Sequence, residues 1–172
     1  MLDSTIDSVN SLLKRARAGL QRQLAGVDRQ RAPAPDSPTE RATVAEFVRA
    51  YESGDLDALV ALLTDDVFLS MPPLPLEYEG IDVVTRFYGR MIGSGRTFDL
   101  VPTRANGQPA FGAYLRGPSG IRHGTGLLVL TLAGDRICCV TRFDISVLPW
   151  SGGTNSGWHR LSLISGCTTA CA

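Results

Sequence analysis

The stretch VAEFVRAYESGDLDALVALLTDDVFLSMPP, residues 44–73, contains the change of period that decides the fold. Gly54 is placed to end a first helix in a left-handed conformation, and Asp55 is placed to cap a second. The run DDVFLS then favours a strand, which two prolines stop. Each predicted helix carries four apolar residues at helical spacing: Val44, Phe47, Val48 and Tyr51 in the first, and Leu56, Leu59, Val60 and Leu63 in the second.

Outward from this stretch, both flanks continue the alternation of helix and strand. Ser37, Pro38 and Glu40 form the pattern of a capping box, so we expect the first helix to run from Pro38 to about residue 53. EGIDVVTRFYGRMI, residues 79–92, predicts a third helix. Strands follow at about 97–104, 110–117, 124–133 and 136–148. The pattern predicts an α+β fold in which three helices pack in a strongly bent antiparallel sheet, forming a cone open at one end.

A separate amphipathic helix is expected before this domain. STIDSVNSLLKRARAGL, residues 4–20, puts apolar residues on one stripe and basic residues on the other faces. DRQRAPAPDS, residues 28–37, has the composition of a linker. We therefore divide the chain into an N-terminal helical segment (1–27), a linker (28–37), a domain (38–150) and a polar tail (151–172) that we expect to be disordered.

Composition excludes several classes of protein. The 172 residues have zero formal net charge, although residues 1–32 carry six basic and three acidic side chains. No apolar run is long enough to span a membrane and no secretion signal is present, so we expect a cytoplasmic protein. The spacing of the four cysteines indicates neither a disulfide framework nor a zinc site, and we predict no metal and no cofactor.

The residues between Val44 and Trp150 carry a family resemblance. The stretch quoted above, together with GLLVLTLAGDRICCVTRFDISVLPW (126–150), resembles the SnoaL-like branch of the nuclear-transport-factor-2-like superfamily. The resemblance implies a cone-shaped domain. It does not separate the enzymes of the superfamily from its binding domains.

The opening helix is similar to the end of region 4 of extracytoplasmic-function sigma factors, including those that carry a SnoaL-like extension. This resemblance implies RNA polymerase and promoter DNA as partners of the intact family. Region 2 and the helix that holds the recognition helix in the groove do not appear in the sequence, so we expect a truncated sigma factor that does not initiate transcription alone. The residues that match the DNA-facing motif are Ser8, Asn10, Ser11, Lys14, Arg15 and Arg17.

Catalysis by the routes known in the superfamily is disfavoured. The resemblance puts Met71 where ketosteroid isomerases have their carboxylate base, and Val48 where they have a tyrosine. Neither side chain can transfer a proton. The Asp-Arg-Asp set of the epoxide hydrolases is incomplete, because the strand beside TRFD (141–144) supplies no carboxylate.

Arg142 and Asp144 are the weak catalytic candidates, because strand alternation puts both on one face of the last strand. Either this face looks into the cone, or the two residues form a surface ion pair, which is the commoner arrangement. A ligand pocket could be lined by aromatic and apolar residues, although such residues are more often plain core: Tyr51, Phe68, Met71, Tyr88, Tyr114 and Trp150.

The sequence therefore favours a regulatory or ligand-binding portion of a sigma factor, without confirmed catalytic residues. Two alternatives stay open. One is a small enzyme, an isomerase, cyclase or epoxide hydrolase, acting on a hydrophobic carbonyl or epoxide substrate. The other is a homodimeric scaffold joined through the sheet.

Overall fold

The computed structural model describes residues 31–117 and 120–147. The predicted N-terminal helix, the six DNA-binding candidates, Trp150 and the tail lie outside these ranges. The described helices are α1 (Pro38–Ser53), α2 (Leu56–Ala61) and α3 (Ile81–Gly93). The described strands are β1 (Leu63–Ser70), β2 (Glu77–Glu79), β3 (Phe98–Ala105), β4 (Gln108–Arg116), β5 (Arg122–Ala133) and β6 (Arg136–Asp144).

The helix ends follow the capping residues that the sequence supplies. The Ser37 hydroxyl accepts a hydrogen bond from the Glu40 backbone N–H at 3.2 Å, and Asp55 accepts one from Ala58 at 3.0 Å. Gly54 ends α1 with φ +69°, as predicted. The capping box differs from the expected form, because the Glu40 carboxylate accepts from the N–H of Asp36, one residue before the N-cap.

The strands form one curved mixed sheet in the order β2-β1-β6-β5-β4-β3. Strands β3 to β6 make the antiparallel meander that the sequence predicts, and Asn106 and Gly107, both with positive φ, form its first two-residue turn. β1 joins the meander by running parallel to β6. The sheet was predicted to be antiparallel, and the described strands are antiparallel except where β1 pairs with β6.

Two faces of the sheet have different surroundings. The core face, defined by Leu69, Leu100, Leu128, Leu130 and Val140, packs with the helices in the main apolar core. The opposite face, defined by Ala105, Ala110, Leu127 and Val129, carries a smaller apolar cluster with Phe143 packed against it.

The structure corrects two predictions about the sheet. Leu63 begins β1 instead of continuing α2, because the helix ends at Ala61 and Leu63 pairs with Ile137. Strand β2 was missed, since three residues, Glu77 to Glu79, are too few to show a period. None of the described helices is both long enough and apolar enough to cross a membrane.

Candidate functional site

Arg142 is a charged residue on the core face of the sheet. It lies across the β5–β6 ladder from Leu128, a buried core residue, and directly opposite residues of an antiparallel ladder project to the same face. Its side chain is half-buried. Within residues 31–117 and 120–147 its guanidinium makes no hydrogen bond and no ion pair.

Two tyrosines from the helices lie in the same core. Tyr51 of α1 and Tyr88 of α3 meet edge to face, with ring centroids 6.3 Å apart. The Tyr51 hydroxyl donates only to the thioether sulfur of Met91, at 3.5 Å. The Tyr88 hydroxyl is buried and has no hydrogen-bond partner among the described residues. Among the described residues, the Tyr51 hydroxyl therefore has a weak partner and the Tyr88 hydroxyl has none.

The charge of Arg142 acts on both phenols. Burial raises the pKa of Tyr51 to about 12, and the nearby Arg142 guanidinium opposes that rise. Burial also raises the pKa of Tyr88, again against the attraction of Arg142. Both hydroxyls are therefore protonated donors at neutral pH, and both lie within the electrostatic reach of the arginine.

Asp144 shares the core face with Arg142, since it pairs with Gly126 two positions further along β6. Its Oδ1 accepts from the N–H of Ser146 at 2.9 Å. That hydrogen bond lowers the pKa of the Asp144 carboxyl, with a smaller contribution from Arg142. The favoured sequence interpretation, a surface ion pair between Arg142 and Asp144, was wrong: their shared face is the core face, and among the described residues they form no salt bridge.

The structure brings together only part of the predicted pocket lining. Tyr51, Met71 and Tyr88 all lie in the main core. Phe68 lies on the other side of β1 from Val67 and Leu69, because it pairs with Cys139 while its neighbours join the core. Tyr114 also projects from the opposite face, where its ring lies beside Gly112 and Gly124. The aromatic residue type was a poor guide to the face, which strand alternation decides.

The residues at the two expected catalytic positions are apolar and packed. Met71 is 7% exposed and belongs to the main core, and Val48 packs against that core. Within the described residues, no group of three or more His, Cys, Asp and Glu side chains is placed to hold a metal ion.

Asp99 is a buried charged residue that sequence reasoning missed. It accepts from Arg116 Nε at 2.7 Å and lies 2.7 Å from Arg122 Nε. The hydrogen bond from Arg116 lowers the pKa of the Asp99 carboxyl. The signal in the sequence is weak, because the three residues meet only once the register of β3, β4 and β5 is known. The cluster joins three strands, and Arg142 is not part of it.

The opposite face bears on the homodimer alternative. That alternative expects an outward sheet face that is rich in apolar groups. Ala105, Ala110, Leu127 and Val129 are 0–8% exposed in the single chain. These side chains are therefore already covered without a second copy.

Comparison with known sequences identifies a domain family and a curated relative. The model of a SnoaL-like domain family matches residues 44–140. The ECF RNA polymerase sigma factor SigG of Mycobacterium tuberculosis is 34% identical over 148 residues, which is 84% of this chain and 40% of that protein. The chain thus spans about two fifths of the length of the curated relatives it matches.

Comparison with solved structures supports the fold alone, because the identities are low. An NTF2-like protein of unknown function from Mesorhizobium loti superposes with a TM-score of 0.54 at 16% identity, covering 65% of this chain and 95% of that one. A putative ketosteroid isomerase from Kribbella flavida superposes with a TM-score of 0.53 at 17% identity, covering 73% and 97%.

Proposed function

The chain belongs to the SnoaL-like domain family, and from this membership we propose that it is a non-catalytic, ligand-binding portion of an ECF sigma factor that regulates transcription initiation. The observation that carries the proposal is the length of the sigma-factor match. The alignment covers 148 residues, whereas the domain match covers only residues 44–140. Similarity to the sigma factor therefore includes residues that flank the domain.

The side chains on the core face favour ligand binding over catalysis. A general base works best with a pKa near the operating pH. Met71 has no titratable group, and the pKa of Asp144 is lowered by its hydrogen bond to Ser146. The core face has hydrogen-bond donors instead: the Arg142 guanidinium and the hydroxyls of Tyr51 and Tyr88. These groups can bind an acceptor atom of a ligand without transferring a proton.

The proposed partners are those implied by similarity to SigG, a longer protein. RNA polymerase and promoter DNA are proposed partners of the protein in which this domain operates. Residues 1–27 are the proposed DNA-facing segment, with Ser8, Asn10, Ser11, Lys14, Arg15 and Arg17 as its contacts. The domain at 38–150 would then adjust the activity of the sigma regions attached to it.

Transcription from a sigma-dependent promoter tests this proposal. Residues 31–172 would replace the matching part of the M. tuberculosis SigG relative, and promoter-specific transcripts would be measured with RNA polymerase in vitro. The comparison protein is SigG cut short before the part that residues 31–172 replace. We expect transcript levels from the chimera and from this shortened SigG to differ by about threefold or more. Equal transcript levels from the two would contradict a regulatory role.

A further inference from the structure

The Tyr88 hydroxyl is a buried polar group without a described partner. Tyr88 is 1% exposed, and its oxygen makes no hydrogen bond among the described residues. A buried hydroxyl without a partner is unfavourable, and native proteins contain few of them. Such a group calls for a partner outside the described residues, and the acceptor oxygen of a bound small molecule is one that fits.

Arg142 supplies a second set of donors, without partners in the part of the chain that the structure describes, on the core face of the sheet. A guanidinium carries five N–H donors and stays charged at all accessible pH values. Arg142 is half-buried on the core face, and its charge is felt by both Tyr51 and Tyr88. Arg142 lies across from Leu128, and it is level with Met71 because Ser70 pairs with Thr141. Leu128, Met71 and Tyr88 all belong to the main apolar core.

Resting on the proposed ligand-binding function, we infer that the ligand is an apolar molecule with a single carboxylate head group. The head group accepts two parallel hydrogen bonds from Arg142 and one from the Tyr88 hydroxyl. The apolar body lies against the core-face residues near Met71. This assigns a ligand class to the site and gives Arg142 and Tyr88 the roles of binding residues.

The charges around the site favour a carboxylate over other head groups. A cationic head would be repelled by Arg142, and a neutral alcohol would leave the guanidinium charge uncompensated. A phosphate monoester carries nearly two negative charges, and Asp144 on the same face would repel the second. The planar guanidinium matches the two oxygens of a carboxylate.

Calorimetric titration of the full chain with matched probes tests the inference. The probes are 1-naphthoate, 1-naphthalenemethanol and 1-naphthyl phosphate, which share one ring system and differ in head group, with decanoate as a second carboxylate of different shape. The variants are Arg142→Gln and Tyr88→Phe. Arg136→Gln, at the exposed start of the same strand, is the matched control.

We expect at least one carboxylate to bind at least tenfold more tightly than its alcohol and phosphate counterparts. Arg142→Gln should weaken carboxylate binding at least tenfold, Tyr88→Phe about three- to tenfold, and Arg136→Gln less than twofold. Equal affinity for acid and alcohol, unchanged affinity in both site variants, or no binding of either carboxylate at millimolar concentration would each overturn the inference. A chimera that regulates transcription while no carboxylate binds would leave the proposed function standing.

Discussion

Arg142 lies directly across the β5–β6 ladder from Leu128, so a guanidinium without a described partner and a fully packed leucine share one face of the sheet. The apolar residues on this face hold α1 and α3 against the sheet. The polar groups among them, Arg142 and the Tyr88 hydroxyl, add no described hydrogen bond to that packing. Stability and binding are therefore expected to respond in opposite directions when these groups are changed.

Tyr88→Phe should stabilise the protein in the absence of ligand. The substitution removes a buried hydroxyl that has no described partner and keeps the packed ring, so we expect the free energy of unfolding to rise by about 0.5–2 kcal/mol. Chemical denaturation measures the change. Tyr51→Phe is the control with little expected effect, because its hydrogen bond among the described residues is to a thioether, a weak acceptor. Destabilisation of Tyr88→Phe by more than about 1 kcal/mol would show that the hydroxyl is satisfied in the folded protein.

Glu40 should give a pH-dependent contribution to stability. Hydrogen bonds from Arg104, at 2.9 and 3.2 Å, lower the pKa of this 5% exposed carboxyl below its ordinary value of 4.5. The stabilisation is therefore complete above the unfolded-state pKa and is lost as the pH falls through the lower folded-state pKa. Glu40→Gln should cost about 1–3 kcal/mol at pH 7, and the difference from wild type should shrink in acid.

Glu46→Gln is the matched control on the same helix. Glu46 pairs with Arg49 at 2.9 Å, but both side chains are more than half exposed. We expect a change within about 0.5 kcal/mol at pH 7. Thermal unfolding of both variants between pH 3 and 7 makes the comparison. A cost for Glu40→Gln that is the same at every pH would contradict the assigned cause.

Gly126→Ala should disrupt the pairing of β5 with β6, the strand that carries Arg142. Gly126 pairs with Asp144 and has φ +148°, and an added Cβ would lie 2.0 Å from the Phe143 carbonyl oxygen. The overlap is with backbone, so β5 and β6 must separate, and we expect a loss of about 3 kcal/mol or more. Gly93→Ala is the control, since a Cβ there meets nothing within 4 Å. Equal stability of the two variants by denaturant titration would contradict the described register.

Ser37→Ala should remove the N-cap of α1. The lost hydrogen bond to Glu40 N–H is expected to cost about 1 kcal/mol. Ser37→Asp keeps an acceptor oxygen and should recover most of that loss. Thermal unfolding distinguishes the two, and equal melting temperatures for Ser37→Ala and Ser37→Asp would show that the cap does not contribute.

The order of the helices and the meander could be predicted from sequence because their signals are local. Gly54, Asp55 and Ser37 each act within four residues of their position, and the structure confirms all three. The placement of side chains on a face depends on register between strands, which no local signal fixes. Phe68 and Tyr114 were grouped with Tyr51 for that reason, and Arg142 could be placed on the core face only from its pairing with Leu128.

The central claim is that the core face binds a small molecule without converting it. Mass spectrometry tests this directly: the purified chain is incubated with 1-naphthoate, a β,γ-unsaturated ketosteroid and a cyclic terpene epoxide, and each compound is quantified over time. We predict retention of the carboxylate by the protein and recovery of every compound chemically unchanged. Multiple turnovers of the ketone or the epoxide, abolished in Asp144→Asn, would contradict the claim.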